Sequence, residues 1–165
     1  SVSQPVIAIN WQGNPVAEVN NLKGRSIPLQ AFGALVENVP AQFVAVQHGE
    51  AREQLEAVSF RDRFVGFQHK IDPWRSLEDV AGVVANSLLL VTSDTAVAHL
   101  SAAAGYETWL LLHYVPDWRW GMIGDSTFWY PTMRIFRQSR RGDWGAVMAN
   151  VAQALKLRLA QGAVG

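Results

Sequence analysis

The sequence predicts an α/β fold, a parallel sheet wound with helices on both faces in three layers. Three observations carry this. Short apolar runs such as Val6-Ile7-Ala8-Ile9 and Leu88-Leu89-Leu90-Val91 mark strands buried on both faces. Between such runs lie segments with helical apolar spacing, for example Leu77, Val80, Ala81 and Val84. The 165-residue length and 49% hydrophobic content suit a single domain over residues 1–165 with a real core. Right-handed crossovers then make a doubly wound, Rossmann-like topology the natural one.

Taken in order, Pro5 to Trp11 reads as the first strand. The polar stretch Gln12 to Ser26 is too long and too rich in Gly and Asn for a simple connection, and loops of that kind often carry function. Pro28 to Asn38 reads as a helix with proline in its first turn. Gln42 to Gln47 follows as the second strand, Glu50 to Val58 as a charged, exposed helix, and Arg63 to Phe67 as a short third strand. Pro73 and Ser76 lead into a helix over Leu77 to Asn86.

The fourth strand, Ser87 to Val91, runs into Thr92-Ser93-Asp94-Thr95. Ser93 and Asp94 are helix N-cap types, Thr95 to Ala104 has a helical period, and Gly105 supplies the stop. The small residues Ala98, Ala102 and Ala103 let this helix lie close to the sheet. Thr108 to Leu112 is the fifth strand and Met133 to Phe136 the sixth, joined by an irregular aromatic loop in which Trp118, Trp120 and Trp129 are expected to be exposed. Asp143 caps a final helix to about Leu159.

Composition excludes several classes. The net charge is +0 and no segment is rich in Lys or Arg alone, so a nucleic-acid footprint is not expected. No apolar run approaches the length of a membrane span. With Cys 0 there are no disulfides or thiolate metal sites, and the expected location is cytoplasmic. The first residue is Ser1, and the expectation is a piece of a longer protein. No G-x-G-x-x-G follows the first strand and no Walker, H-E-x-x-H or G-x-S-x-G sequence occurs, which argues against NAD chemistry, P-loop hydrolysis, zinc hydrolysis and α/β-hydrolase chemistry.

What remains is a ring of loops at the C-terminal ends of the strands, where ligands bind in doubly wound sheets. Gly13 and Asn14 follow the first strand, Gln47 and His48 the second, and Ser93, Asp94, Thr95 and Ala96 the fourth. Backbone N–H groups of Thr95 to Val97 at the helix terminus suit a diphosphate, with Lys23 or Arg25 as its cation. Asp94 would repel phosphate and better suits sugar hydroxyls; a plain capping role is the alternative. His99 lies one turn from Thr95 on the same helix face.

Ser93-Asp94-Thr95-Ala96-Val97-Ala98-His99-Leu100-Ser101-Ala102-Ala103 resembles the D-[ST]-x-x-x-H-x-A-A signature of the ADP-heptose:lipopolysaccharide heptosyltransferases, a GT-B family. Ile9 to Asn14, Arg25 to Leu29, Tyr114 to Trp120 and Trp129-Tyr130-Pro131 are similar to the C-terminal domain of a subgroup that carries tetratricopeptide repeats. The resemblance implies one half of a GT-B architecture that binds a nucleotide-diphosphate sugar without a metal or other cofactor. An N-terminal acceptor domain or repeat segment would be its partner and would hold the general base, so the isolated chain is expected to be inactive.

By the same resemblance Thr95 and Ala96 meet the diphosphate, Asp94 and His99 the sugar or pyrophosphate, and Gly13 and Asn14 the phosphate side. Gln47 and His48 lie near the base or ribose, and Trp118 is a further candidate. The family commonly has Gly where this chain has Ala96, and its usual Lys after the first strand has no clear equivalent, so Lys23 or Arg25 must substitute. Epimerases of the same fold share the Ser-Asp turn but carry Gly-Gly and a Glu pair where Ala96-Val97 and His99 stand. A third reading is a non-catalytic interaction module that keeps the fold and docks through its exposed tryptophans.

Overall fold

Five parallel strands form one sheet in the computed structural model, which describes residues 4–14, 16, 18, 24–71, 73 and 76–162. They are β1 (Val6–Asn10), β2 (Gln42–Ala45), β3 (Leu89–Ser93), β4 (Thr108–Leu112) and β5 (Met133–Arg137), in the spatial order β2-β1-β3-β4-β5. Helices bounded by described residues are α1 (Gly33–Val36), α2 (Gln54–Ala57), α3 (Gln68–Ile71), α4 (Leu77–Ala85), α5 (Ala96–Ala103) and α6 (Trp144–Gly162).

Strand side chains alternate between the two faces, as a period of two requires. Ile7, Ile9, Leu89, Val91, Trp109 and Leu111 join one core with Leu35 and Val36 of α1 and Val147, Met148, Val151 and Leu155 of α6. Ala8, Val44 and Leu90 face the other way, against Val80 and Val84 of α4 and Val97 of α5. Leu110 and Leu112 continue that second face with Ala98 and Ala102. The result is three layers, doubly wound, as the sequence predicts.

The order reverses beside β1: the chain leaves it for β2 over one face, and returns over the other to β3. Asn10 therefore stands opposite Thr92 at the point where the connections diverge, the position that opens a crevice in such sheets.

Several expected elements take a different form. The third strand expected over 63–67 reduces to one bridge between Phe43 and Phe64, so the sheet has five strands rather than six. Beyond that bridge the Gln68 side chain satisfies the sheet edge, accepting from Ala45 N at 2.9 Å and donating to Ala45 O at 3.0 Å. The stretches 28–38 and 50–58 each form a 3-10 turn followed by a single α turn, and Leu55 of the second is buried. Leu77 is exposed, and the inward stripe of α4 is carried by the buried Val80 and Val84 with the partly buried Val83 beside them. That helix starts in a reciprocal capping box between Ser76 and Asp79.

β3 extends to Ser93, and Thr95 occupies the N-cap of α5 without a side-chain cap bond. Neither Ser93 nor Asp94 caps the helix. Ala98 and Ala102 pack on the sheet as expected, whereas Ala103 is exposed. Gly105 ends the segment at a φ of 84°, where a side chain would be strained. The final helix runs past Leu159 to Gly162, and Asp143 Oδ1 accepts from Ala146 N at 3.0 Å.

Candidate functional site

The crevice is built outward from the ends of β1 and β3. Asn10 Nδ2 donates to Thr95 Oγ1 at 3.1 Å and to Thr92 Oγ1 at 3.3 Å. The Thr95 hydroxyl is thereby turned into the sheet edge, so what this residue offers a ligand is backbone. Ala98 N, bonded to Thr95 O at 3.1 Å, is the first amide with a partner inside the turn. The N–H groups of Ala96 and Val97 have no carbonyl within the helix to reach, and the positive end of the helix dipole adds to them. Ala96 itself is exposed.

The connection after β1 leaves at Trp11, and at its far end Ile27 N–H donates to Trp11 O at 2.8 Å. Its start is fixed by Gln47. Gln47 Oε1 accepts from Trp11 N at 3.0 Å and Gln12 N at 2.9 Å, and its Nε2 donates to Gln12 O and His48 O at 3.0 Å each. The amide of Gln47 is fully engaged and 6% exposed, so it shapes the loop rather than reaching for a base. His48 is half-buried beyond β2. Asn14 is exposed, and its Oδ1 accepts from Val16 N at 2.9 Å. Lys23 lies outside the described residues.

Arg25 reaches back across this loop. An added Cβ on Gly13 would stand 2.7 Å from Arg25 Nη2, so only glycine lets the guanidinium lie there. Arg25 Nη1 donates to Asp94 O at 3.4 Å, and Nε pairs with Glu18 Oε1 at 3.3 Å. Glu18 also accepts from Ser26 N at 3.3 Å and from the Ser26 hydroxyl, which closes a clasp over the loop's return. Glu18 was not legible in the sequence: it lies seven residues from Arg25 and forms no motif with it.

The Asp94 residue is buried at 7% exposure, and its carboxylate acts on both His99 and His113, raising the proton affinity of each. In both cases burial outweighs it and the imidazole pKa falls below 6.5. His99 is held on three sides. Its ring stacks on Trp120 at 5.2 Å, its Nδ1 lies 2.9 Å from Tyr130 Oη, and its Nε2 lies 3.4 Å from Arg119 Nη1. A guanidinium only donates, so the neutral ring carries its proton on Nδ1 and passes it to Tyr130 as a hydrogen bond. Asp117 fixes Arg119 from the other side, at 2.8 Å and 3.3 Å. Burial resists the Asp117 charge, but the Arg119 backbone and guanidinium hold its pKa below the ordinary value.

The structure thus brings Gly13, Arg25, Asp94, Ala96 and the Thr95 backbone to one crevice, with His99 beside it as the organiser of Arg119 and Tyr130. The tryptophans divide. Trp118 is 81% exposed and Trp129 is 54% exposed, whereas Trp120 is buried at 3% beneath His99 and is not part of an exposed docking surface. Arg137 shapes the same loop by donating to the carbonyls of Trp120, Gly121, Ile123 and Gly124. Arg119 and Tyr130 were missed because 20 and 31 residues separate them from His99 in a loop without periodicity. Among the described residues no group of three or more His, Asp and Glu is gathered as a metal site, and no helix is long and apolar enough to cross a membrane.

No protein-family model matches the chain, and no curated protein sequence matches it. Two solved structures do. The E. coli ADP-heptose LPS heptosyltransferase II superposes with a TM-score of 0.65 at 15% identity, over 97% of this chain and 49% of that one. The E. coli heptosyltransferase WaaC, solved with ADP-2-deoxy-2-fluoro heptose, gives a TM-score of 0.59 at 15% identity, over 97% of this chain and 44% of that one. The chain spans about half the length of each, and at that identity the likeness establishes the fold: a Rossmann-like domain matching one half of a GT-B heptosyltransferase.

Proposed function

We propose that the chain is the donor-binding half of a glycosyltransferase. Its crevice between β1 and β3 would take a nucleotide-diphosphate sugar, with the diphosphate against the Ala96 and Val97 N–H groups and the Arg25 guanidinium. The observation that supports this most directly is the placement of Arg25 over Gly13 and against Asp94 O, beside the open first turn of α5. Fixed donors of that kind stabilise negative charge on a leaving diphosphate. Asp94 would accept hydrogen bonds from sugar hydroxyls.

In the reaction an acceptor hydroxyl attacks the anomeric carbon and its proton passes to a general base. The carbon–oxygen bond to the diphosphate breaks, and the nucleoside diphosphate departs with the electron pair. The base and the acceptor contacts belong, on this reading, to a facing domain, and the tetratricopeptide-linked arrangement with cytoplasmic placement is the form we propose for the whole protein. Transfer by a metal-independent route is part of the proposal, since Arg25 and the helix terminus supply the positive charge.

A non-catalytic module is the second reading, favoured by the exposure of Trp118, Ile123 and Phe128 on one loop. Calorimetric titration with ADP, UDP and GDP and their sugar conjugates separates the two. Saturable binding of one nucleotide series, weakened in Asp94→Ala for the sugar conjugate, supports the donor reading. Absence of binding in a folded sample contradicts it and favours the module.

A further inference from the structure

The connection from β4 to β5, residues 113–132, carries most of the large apolar surface that the fold leaves in water. Among the described residues, seven of the eleven exposed large hydrophobic side chains lie in it. Trp118, Met122, Ile123, Phe128 and Trp129 are the most prominent, with Ile123 87% and Phe128 95% exposed. Side chains so free of neighbours project as prongs, and their concentration on one loop marks an interaction site.

The loop is nonetheless fixed from within. The Arg137 side chain donates to the carbonyls of Trp120 at 2.6 Å, Gly124 at 2.7 Å, Gly121 at 2.9 Å and Ile123 at 3.3 Å. Trp120 N donates to Asp117 O, Gly121 N to Trp118 O, the Trp129 indole N–H to Arg119 O, and Ile135 N to Asp125 O. Eight of the nine carbonyls from Asp117 to Asp125 thus accept from within the chain. In water this closure gains little, because solvent would satisfy the same carbonyls. In an apolar medium each unsatisfied carbonyl is costly, so the closure lets the segment be dehydrated.

Charge around the loop is uneven. Residues 113–143 hold five arginines against three aspartates, in a chain of net charge +0. The carboxylates are engaged or turned aside: Asp117 binds Arg119, Asp143 accepts from Ala146 N, and Asp125 lines a groove beside β5 with Arg134 and Arg158. Arg140 and Arg141 are exposed and make no ion pair among the described residues. Arg141 lines one cavity with Tyr114 and Val115, so its charge stands beside the start of the loop.

We propose that this loop docks the chain on a lipid bilayer bearing anionic headgroups. Met122, Ile123 and Phe128 enter the acyl boundary, Trp118 and Trp129 sit at headgroup level, and Arg140 and Arg141 meet the headgroup charge. Prongs of this kind need matching holes in a protein partner, whereas a fluid bilayer closes around them. Neither reading of the crevice is required for this.

The test is co-sedimentation of the 165-residue chain with vesicles of phosphatidylcholine alone and of phosphatidylcholine mixed with phosphatidylglycerol, beside sedimentation velocity of the free chain. Binding is expected on the mixed vesicles and should weaken as salt rises. Ile123→Ser and Phe128→Ser alter side chains that the fold leaves in water, so folding persists while each weakens binding about tenfold or more. Arg140→Gln combined with Arg141→Gln should weaken it about tenfold or more and flatten the salt dependence. No binding to the mixed vesicles, equal binding to phosphatidylcholine alone, or parent-like binding by the serine variants overturns the proposal. A dimer of the free chain that Ile123→Ser dissociates overturns it as well and assigns the loop to a second copy.

Discussion

Replacing Gly13 by Ala perturbs the crevice through one contact. The new Cβ would meet Arg25 Nη2 at 2.7 Å, closer than real Cβ atoms come, and Cζ at a tight 3.0 Å, and the guanidinium is the part able to move. Gly13 is not among the glycines with positive φ, so alanine is tolerated there by the backbone. Removing glycine from the unfolded chain stabilises by about 0.4–1 kcal/mol, which offsets part of the cost of moving Arg25 against Glu18, and the net change in stability is within about 1 kcal/mol. Binding should respond differently. A hydrogen bond to a charged group contributes roughly 1.5–3 kcal/mol, so displacing Arg25 should weaken ADP roughly tenfold to a hundredfold. Urea unfolding and calorimetry on the same sample read both quantities. In an Arg25→Ala background Gly13→Ala should have little further effect, because the two act through one group. Unchanged ADP affinity in folded Gly13→Ala would refute the role given to Arg25.

Gln47→Leu leaves the buried N–H groups of Trp11 and Gln12 without their acceptor, at about 1–3 kcal/mol each. The urea midpoint should fall accordingly, and a loss of ADP binding at unchanged stability would show instead that Gln47 touches the ligand. Glu18→Gln removes the carboxylate that competes with a diphosphate for Arg25; ADP should bind more tightly at low salt, with the gain shrinking as salt rises, and weaker binding would contradict this. Burial lowers the pKa of His99 and His113 in the fold, so the unfolded chain binds more protons. Stability is therefore full above the ordinary value of 6.5 and falls as pH drops from there through the folded pKa values. Urea unfolding across that window should show the slope, flattened in His99→Phe; a slope of the opposite sign would sink the assignment.

The sheet was legible because burial on both faces leaves a plain mark: Val6 to Asn10, Leu89 to Ser93 and Thr108 to Leu112 carry apolar runs, while the edge strand Met133 to Arg137 alternates, with Arg134 exposed. The expected strand at 63–67 failed for a reason local sequence does not show. Gln68 supplies the hydrogen bonds a strand would have made, and a side chain substituting for backbone has no periodicity. At the site, the Ser93–Ala96 turn was legible from its residue types, but the division of labour was not. Asp94 and Ser93 look like caps; Thr95 takes that position, while its hydroxyl is claimed by Asn10, 85 residues away. Trp120 looked like its exposed neighbour Trp118 until the fold set His99 upon it. Long-range pairing of this kind, as in Gln47 with Trp11, is what turns candidate ligands into scaffold.

The most direct test of the donor-site claim is a crystal structure of the chain with ADP. The account predicts the diphosphate between the Arg25 guanidinium and the N–H groups of Ala96 and Val97, in the crevice where β1 and β3 diverge. A nucleotide seated elsewhere on the chain, with the first turn of α5 unengaged, would contradict it.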